Sequence, residues 1–97
     1  MNLSEFTWDN WNVQHISRHQ VNPEEVEEAF ERGVFSRRTK KKVFRGGVHK
    51  RRYTSIGQTF SGRFLRIIWE TRERKIYTLT ALDADAADKR LFKKRRQ

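Results

Sequence analysis

Residues 61–71 read Ser-Gly-Arg-Phe-Leu-Arg-Ile-Ile-Trp-Glu-Thr. Alternation makes Arg63 to Thr71 the strongest strand in the chain. Leu65, Ile67 and Trp69 share one face with Arg63, and Phe64, Arg66 and Ile68 take the other. Ser61-Gly62 marks a turn before it. Upstream, Lys50 to Gln58 alternates as well, with Tyr53, Ser55 and Gly57 on one side and Arg52, Thr54 and Ile56 on the other. Downstream, Arg72-Glu73-Arg74-Lys75 is a charged turn and Ile76 to Leu82 is the last strand. Strands joined this closely in sequence pair as an antiparallel meander.

Helical signals flank the meander. Phe6-Thr7-Trp8 predicts a short first strand. Asp9 or Asn10 then caps a helix running to about His19. Asn22-Pro23-Glu24-Glu25 is a strong helix start: a capping side chain, proline at the first helical position and acids in the first turn. Val26, Ala29 and Phe30 form its apolar stripe, Val21 can staple it, and Gly33 stops it. Val34 to Arg38 reads as a strand and Thr39 to Gly47 as a loop or frayed hairpin. Asp83 or Asp85 caps a last helix carrying Ala87, Leu91 and Phe92. The expected fold is α+β: an N-terminal strand and two helices, a meander sheet of three to four strands, and a C-terminal helix. The helices are expected on one face of the sheet. With 97 residues and no linker, the chain is one domain over residues 1–97, closing in a basic tail at 93–97.

Charge narrows the function. Lys and Arg number 22 against 12 Asp and Glu, a net charge of +10. From Arg32 to Trp69 there are twelve basic residues and no acid. Lys89, Arg90, Lys93, Lys94, Arg95 and Arg96 form a second basic cluster. The acids gather at Glu24, Glu25, Glu27, Glu28 and Glu31, a solvated helix face. This segregation is the footprint of a polyanion-binding surface. There is no Cys, which excludes disulfide scaffolds, Cys-based zinc sites and Cys nucleophiles. No apolar run approaches a membrane span, and the N-terminus lacks the pattern of a signal peptide. The expectation is a soluble cytoplasmic protein with a polyanionic partner. No Gly-rich nucleotide-binding loop is present.

The ordered residues resemble a known family. They are Phe6-Thr7-Trp8-Asp9, His15 to Val21, Pro23 to Phe30, Arg52-Tyr53 with Ile56-Gly57, Thr59 with Gly62-Arg63-Phe64-Leu65, Thr78-Leu79-Thr80-Ala81 leading to Asp83, and Lys89-Arg90-Leu91-Phe92. From Phe6 to Phe92 this series is similar to the BrnT toxins of bacterial type II toxin–antitoxin pairs. The resemblance implies a RelE-like fold and a ribonuclease that inhibits translation by cleaving messenger or ribosome-bound RNA. It also implies a cognate antitoxin with a ribbon-helix-helix DNA-binding part, and repression of the pair's own operon. The family's last strand commonly ends in Ser/Thr-Ala-Arg, whereas this chain has Thr80-Ala81-Leu82. That departure keeps a second reading open: a non-catalytic nucleic-acid-binding protein of toxin fold, acting within a repressor complex.

RNA cleavage without a metal or other cofactor requires a base for the 2′-hydroxyl, a cation for the pentacoordinate phosphate and an acid for the leaving oxygen. Arg63, just after Gly62, and Arg52, which matches a basic family position, are the expected phosphate clamp, since a guanidinium can hold two phosphate oxygens. They are expected to be neighbours in the sheet. His15 and His19, one helical turn apart, are the candidates for proton transfer, and no metal site is expected. Lys50, Arg51, Tyr53, Arg66, Lys89 and Arg90 are expected to bind RNA, Tyr53 by stacking on a base. Trp8, Trp11 and Trp69 are expected in the core rather than as base-stacking platforms.

Overall fold

The computed structural model describes residues 5–38, 43–45 and 48–95. The order is β1 (Phe6–Thr7), α1 (Asn10–Ser17), α2 (Pro23–Arg32), β2 (Phe35–Arg38), β3 (Val43–Arg45), β4 (Val48–Lys50), β5 (Arg52–Gln58), β6 (Phe64–Arg72), β7 (Lys75–Asp83) and α3 (Ala86–Arg95). β1, β7, β6, β5 and β2 form one sheet in that order, and β3 and β4 form a separate two-stranded ribbon. The fold is α+β, as the periodicity predicts. β2, β5, β6 and β7 pair antiparallel, while β1 runs parallel to β7 at the edge.

Local chemistry sets the helix ends. Asp9 accepts from the Asn12 backbone N–H, and the Asn12 side chain accepts from the Asp9 N–H. Asn22 and Glu25 repeat this reciprocal box at α2, with Pro23 at the first position. α1 stops earlier than expected. Val21 N–H donates to the Ile16 carbonyl and Gln20 N–H to the Ser17 carbonyl, with Gln20 left-handed at φ 55°. Ile16 and Val21 both sink into the core, so the stop is also an apolar clasp. Asp85 and Asp88 exchange backbone N–H bonds at the start of α3.

The sheet has two differently covered faces. Leu65, Ile67 and Trp69 of β6, Ala81 of β7 and Tyr53 of β5 pack against Ile16, Val26, Ala29 and Phe30 of α1 and α2. Ser55 is buried there too, accepting from the Trp69 indole at 2.7 Å. Gly57 lets α2 come close: a Cβ there would stand 2.7 Å from Val34 Cγ1 and 3.1 Å from Ala29 Cβ. On the other face Ile56, Phe64 and Phe35 pack against Phe92 and Leu91 of α3. The expectation that all helices share one face is therefore corrected. Phe64, at the start of β6, puts an apolar ring on the second side of the sheet, and that end also needs a cover.

Candidate functional site

α3 covers only one end of its face, and the other end is a cleft of about 490 Å³. Its lining is Trp11 and His15 of α1, Arg52 of β5, Ile68 and Arg72 of β6, and Tyr77, Leu79 and Thr80 of β7. Strand alternation builds the floor, because Arg66, Ile68, Glu70 and Arg72 all project to this side of β6. Across the sheet, Arg52 is in register with Glu70 and Tyr77, Thr54 with Ile68 and Thr80, and Ile56 with Arg66 and Leu82. Arg37 of β2 extends the Thr54 row to the far edge.

A bulge aims the key side chains. Ile68 pairs with Thr80 but Trp69 with Thr78, so β7 carries one extra residue at Leu79. Beyond it the alternation is inverted. Ile76 turns into the core and Tyr77 turns into the cleft. Re-aiming a side chain is what a bulge does to a strand.

Glu70 organises the cations. It is 1% exposed. It accepts from Arg72 Nε at 2.6 Å, and Arg52 Nε lies 3.9 Å from its other oxygen. A buried carboxylate is costly unless paired, so the two guanidiniums are held beside it. Arg52 and Arg72 thus bring two guanidiniums to the lining of the cleft, where an incoming anion can meet them. The Arg72 guanidinium also lies 3.6 Å from the Tyr77 ring centroid. Glu70 is the one acid that β5, β6 and β7 place on this face.

The cleft wall is tied to α1. Tyr77 donates its hydroxyl to the Asp9 carboxylate at 2.9 and 3.0 Å. Burial, reinforced by that bond to an anion, raises the Tyr77 pKa. The Asp9 carboxyl is held below its usual range, chiefly by the Asn12 backbone N–H, with the Tyr77 hydroxyl and the Arg72 charge adding to it. The cap residue of α1 thus also anchors the cleft floor. Four residues along α1, His15 stacks on Trp11 with centroids 4.8 Å apart and planes 13° apart. Trp11 lies 6.5 Å from Tyr77 at 24°.

Of the expected site residues, Arg52 and His15 line the cleft and Arg66 stands on the same face. Arg66 has its Nε buried without a hydrogen-bond partner. Arg63 goes elsewhere. It bonds Asp83 at 2.7 Å, Glu25 at 3.1 Å and the carbonyls of Gln20 and His19. Arg52 and Arg63 are not neighbours, because an antiparallel hairpin pairs the start of one strand with the end of the next. Arg52 therefore faces Glu70, and Arg63 lies at the opposite end of β6. His19 sits in the stop turn after α1 and does not line the cleft. Among the described residues no three His, Asp or Glu side chains gather as a metal-binding group. Tyr53 stacks on Trp69 at 4.5 Å on the helix-covered face, so it is a core ring rather than a base platform in the cleft. Arg51, Lys89 and Arg90 are exposed outside the cleft, and the Lys50 side chain lies outside the described residues.

Trp11 overturns its core expectation with 54% exposure. Trp69 is buried, and Trp8 donates its indole N–H to Glu27. Glu70, Arg72, Tyr77 and Trp11 are absent from the sequence candidates. The available signals were Trp11 and His15 at i, i+4, and the isolated Glu70 closing an acid-free stretch. No protein-family model matches the chain, and no curated protein matches it. No helix among the described residues is long and apolar enough to cross a membrane.

Proposed function

We propose that this protein is the toxin of a bacterial toxin–antitoxin pair and that its cleft cleaves RNA without a metal. The observation that carries the reading is Arg52 and Arg72 held by buried Glu70, with His15 on the same cleft wall. The ordered similarity to BrnT toxins supports it, and so does the net charge of +10.

In the proposed reaction Arg52 and Arg72 hold the non-bridging oxygens of the scissile phosphate and stabilise its added charge. His15 accepts the 2′-hydroxyl proton. The 2′-oxygen attacks phosphorus, the bond to the 5′-oxygen breaks, and that oxygen leaves with a proton from solvent. The products are a 2′,3′-cyclic phosphate and a 5′-hydroxyl end. Trp11 restricts the wall beside His15. The same basic face would dock an acidic segment of the antitoxin, whose ribbon-helix-helix part would contact DNA in the cytoplasm.

The test is cleavage of a single-stranded RNA by purified protein in the presence of a chelator. The wild type should generate discrete cyclic-phosphate ends. His15→Ala, and Arg72→Ala combined with Glu70→Gln so that no carboxylate is left buried beside an empty site, should each lower the rate at least a hundredfold while remaining folded. No cleavage by the wild type, or undiminished cleavage by both variants, would sink the proposal.

Leu82 favours a second reading, binding without cleavage. It stands beside Arg66 on the cleft's face, where the family commonly carries Arg. If Leu82→Arg cleaves RNA and the natural protein only binds it, the second reading holds.

A further inference from the structure

We infer that Trp11 is the platform for one unpaired nucleobase, so that the cleft takes a single strand by a base as well as by its phosphates. This rests on the nucleic-acid reading of the cleft but not on catalysis. Three observations converge on it.

The first is exposure. More than half of the Trp11 surface is open, although a small domain with three tryptophans gains stability by burying them. Trp8 and Trp69 do have internal partners for their indole N–H groups. The second is mounting. Trp11 sits in the first turn of α1, whose start is locked by the Asp9–Asn12 box. Tyr77 locks the same Asp9 to the sheet, and the Asn12 side chain donates to the Thr7 carbonyl. A ring held this firmly loses little freedom when it binds. His15 lies parallel on Trp11 and keeps the plane of the indole fixed.

The third is what surrounds the ring. Trp11 and the two arginines line one cleft, so a base and its own phosphate are addressed together. The volume of about 490 Å³ lies within the roughly 300–1,000 Å³ range of small-ligand sites. Stacking on an aromatic ring needs a base whose face is open. A duplex keeps those faces covered by its own stacking, so this subsite discriminates against paired RNA. A protein segment docking on Trp11 would not need an open base, and the experiment separates the two.

The experiment measures binding of a fluorescent six-nucleotide RNA whose 2′-oxygens are methylated, so that it cannot be cut. It is compared with the same strand carrying one central abasic residue, scanned along the strand, and with the blunt duplex. The wild type should bind the intact strand roughly tenfold to a hundredfold more tightly than the worst abasic strand. Trp11→Ala should lose that difference, Trp11→Phe should keep most of it, and both should melt near the wild type because the ring is exposed. Equal binding of intact and abasic strands would overturn the inference, as would duplex binding as tight as single-strand binding or no binding at all. Base-dependent binding by a protein that does not cleave would uphold the platform and defeat the ribonuclease proposal. Cleavage without base dependence would do the reverse.

Discussion

Arg63 bonds two carboxylates and two carbonyls, and it joins β6 to the α1–α2 turn, to α2 and to the end of β7. Arg63→Ala should cost about 2 kcal/mol in urea unfolding, the scale of charged hydrogen bonds in part-buried surroundings. The folded variant should still cleave RNA. Full stability with lost cleavage would show that Arg63 belongs to the site after all. pH reports on the same contacts. Asp83 is held below its ordinary 3.8, first by its hydrogen bond to Arg63, so its contribution is present above that pH and fades as pH falls through the lowered value. Tyr77 runs the other way. Its pKa is raised above 10.0, so its contribution is complete below that pH and is lost as pH climbs through the raised value. Melting temperatures recorded against pH should show a steep alkaline fall in the wild type and a shallower one in Tyr77→Phe.

Elements meet at three places where one or two residues decide the outcome. Gly57 lies under α2, and Gly57→Ala would push a methyl against Val34 and Ala29. Neither neighbour has a flexible side chain to swing away, so the change should cost roughly 1–3 kcal/mol by denaturant unfolding. A neutral result would mean that α2 can shift freely on the sheet. The β6–β7 hairpin turns through Glu73 and Arg74, both left-handed at φ 51° and 65°. Two-residue hairpins of this kind favour Asn-Gly. Replacing Glu73-Arg74 with Asn-Gly should therefore stabilise the protein by about 1 kcal/mol, because the strained residues are relieved. The bulge at Leu79 is the third such place. It converts one strand into a core contributor at Ile76 and a cleft contributor at Tyr77.

At the scale of the molecule, charge and shape act together. Arg37, Arg52, Arg66 and Arg72 project to one face across three strands, and α1 closes its far side. A strand contacting all four should bind with a slope of log affinity against log salt of roughly −3. Arg72→Ala should flatten that slope by about 0.7. An unchanged slope would place the phosphates elsewhere, on α3 or the basic ribbon. The acidic helix plays a different part from a solvated face. Glu25 holds Arg63, Glu27 holds Trp8 and Glu28 accepts from the Phe60 backbone, so several of its carboxylates fasten other elements.

Local signals set the order of the helices and of the main-sheet strands, the starts of α1 and α2, the Gly33 stop and the α+β class, whereas the β3–β4 ribbon lies partly in a stretch that reads as a loop or frayed hairpin. Each depends on residues within a few positions of one another: Asp9 with Asn12, Asn22 with Glu25, the alternation through β5 and β6. The faces of those two strands were legible for the same reason, and Arg52 and His15 were legible as polar groups of suitable chemistry. Which of them meet was set by contacts between distant segments. Antiparallel pairing sent Arg63 to the opposite end of β6 from Arg52. The Leu79 bulge, which no local pattern announces, swung Tyr77 into the cleft. The position of α1 beside β7 left Trp11 in solvent, although its size predicts burial. Buried Glu70 joined two arginines that lie 20 residues apart in sequence. Register, edge placement and ion pairing depend on contacts between distant segments, and their energies exist only once the chain has closed on itself.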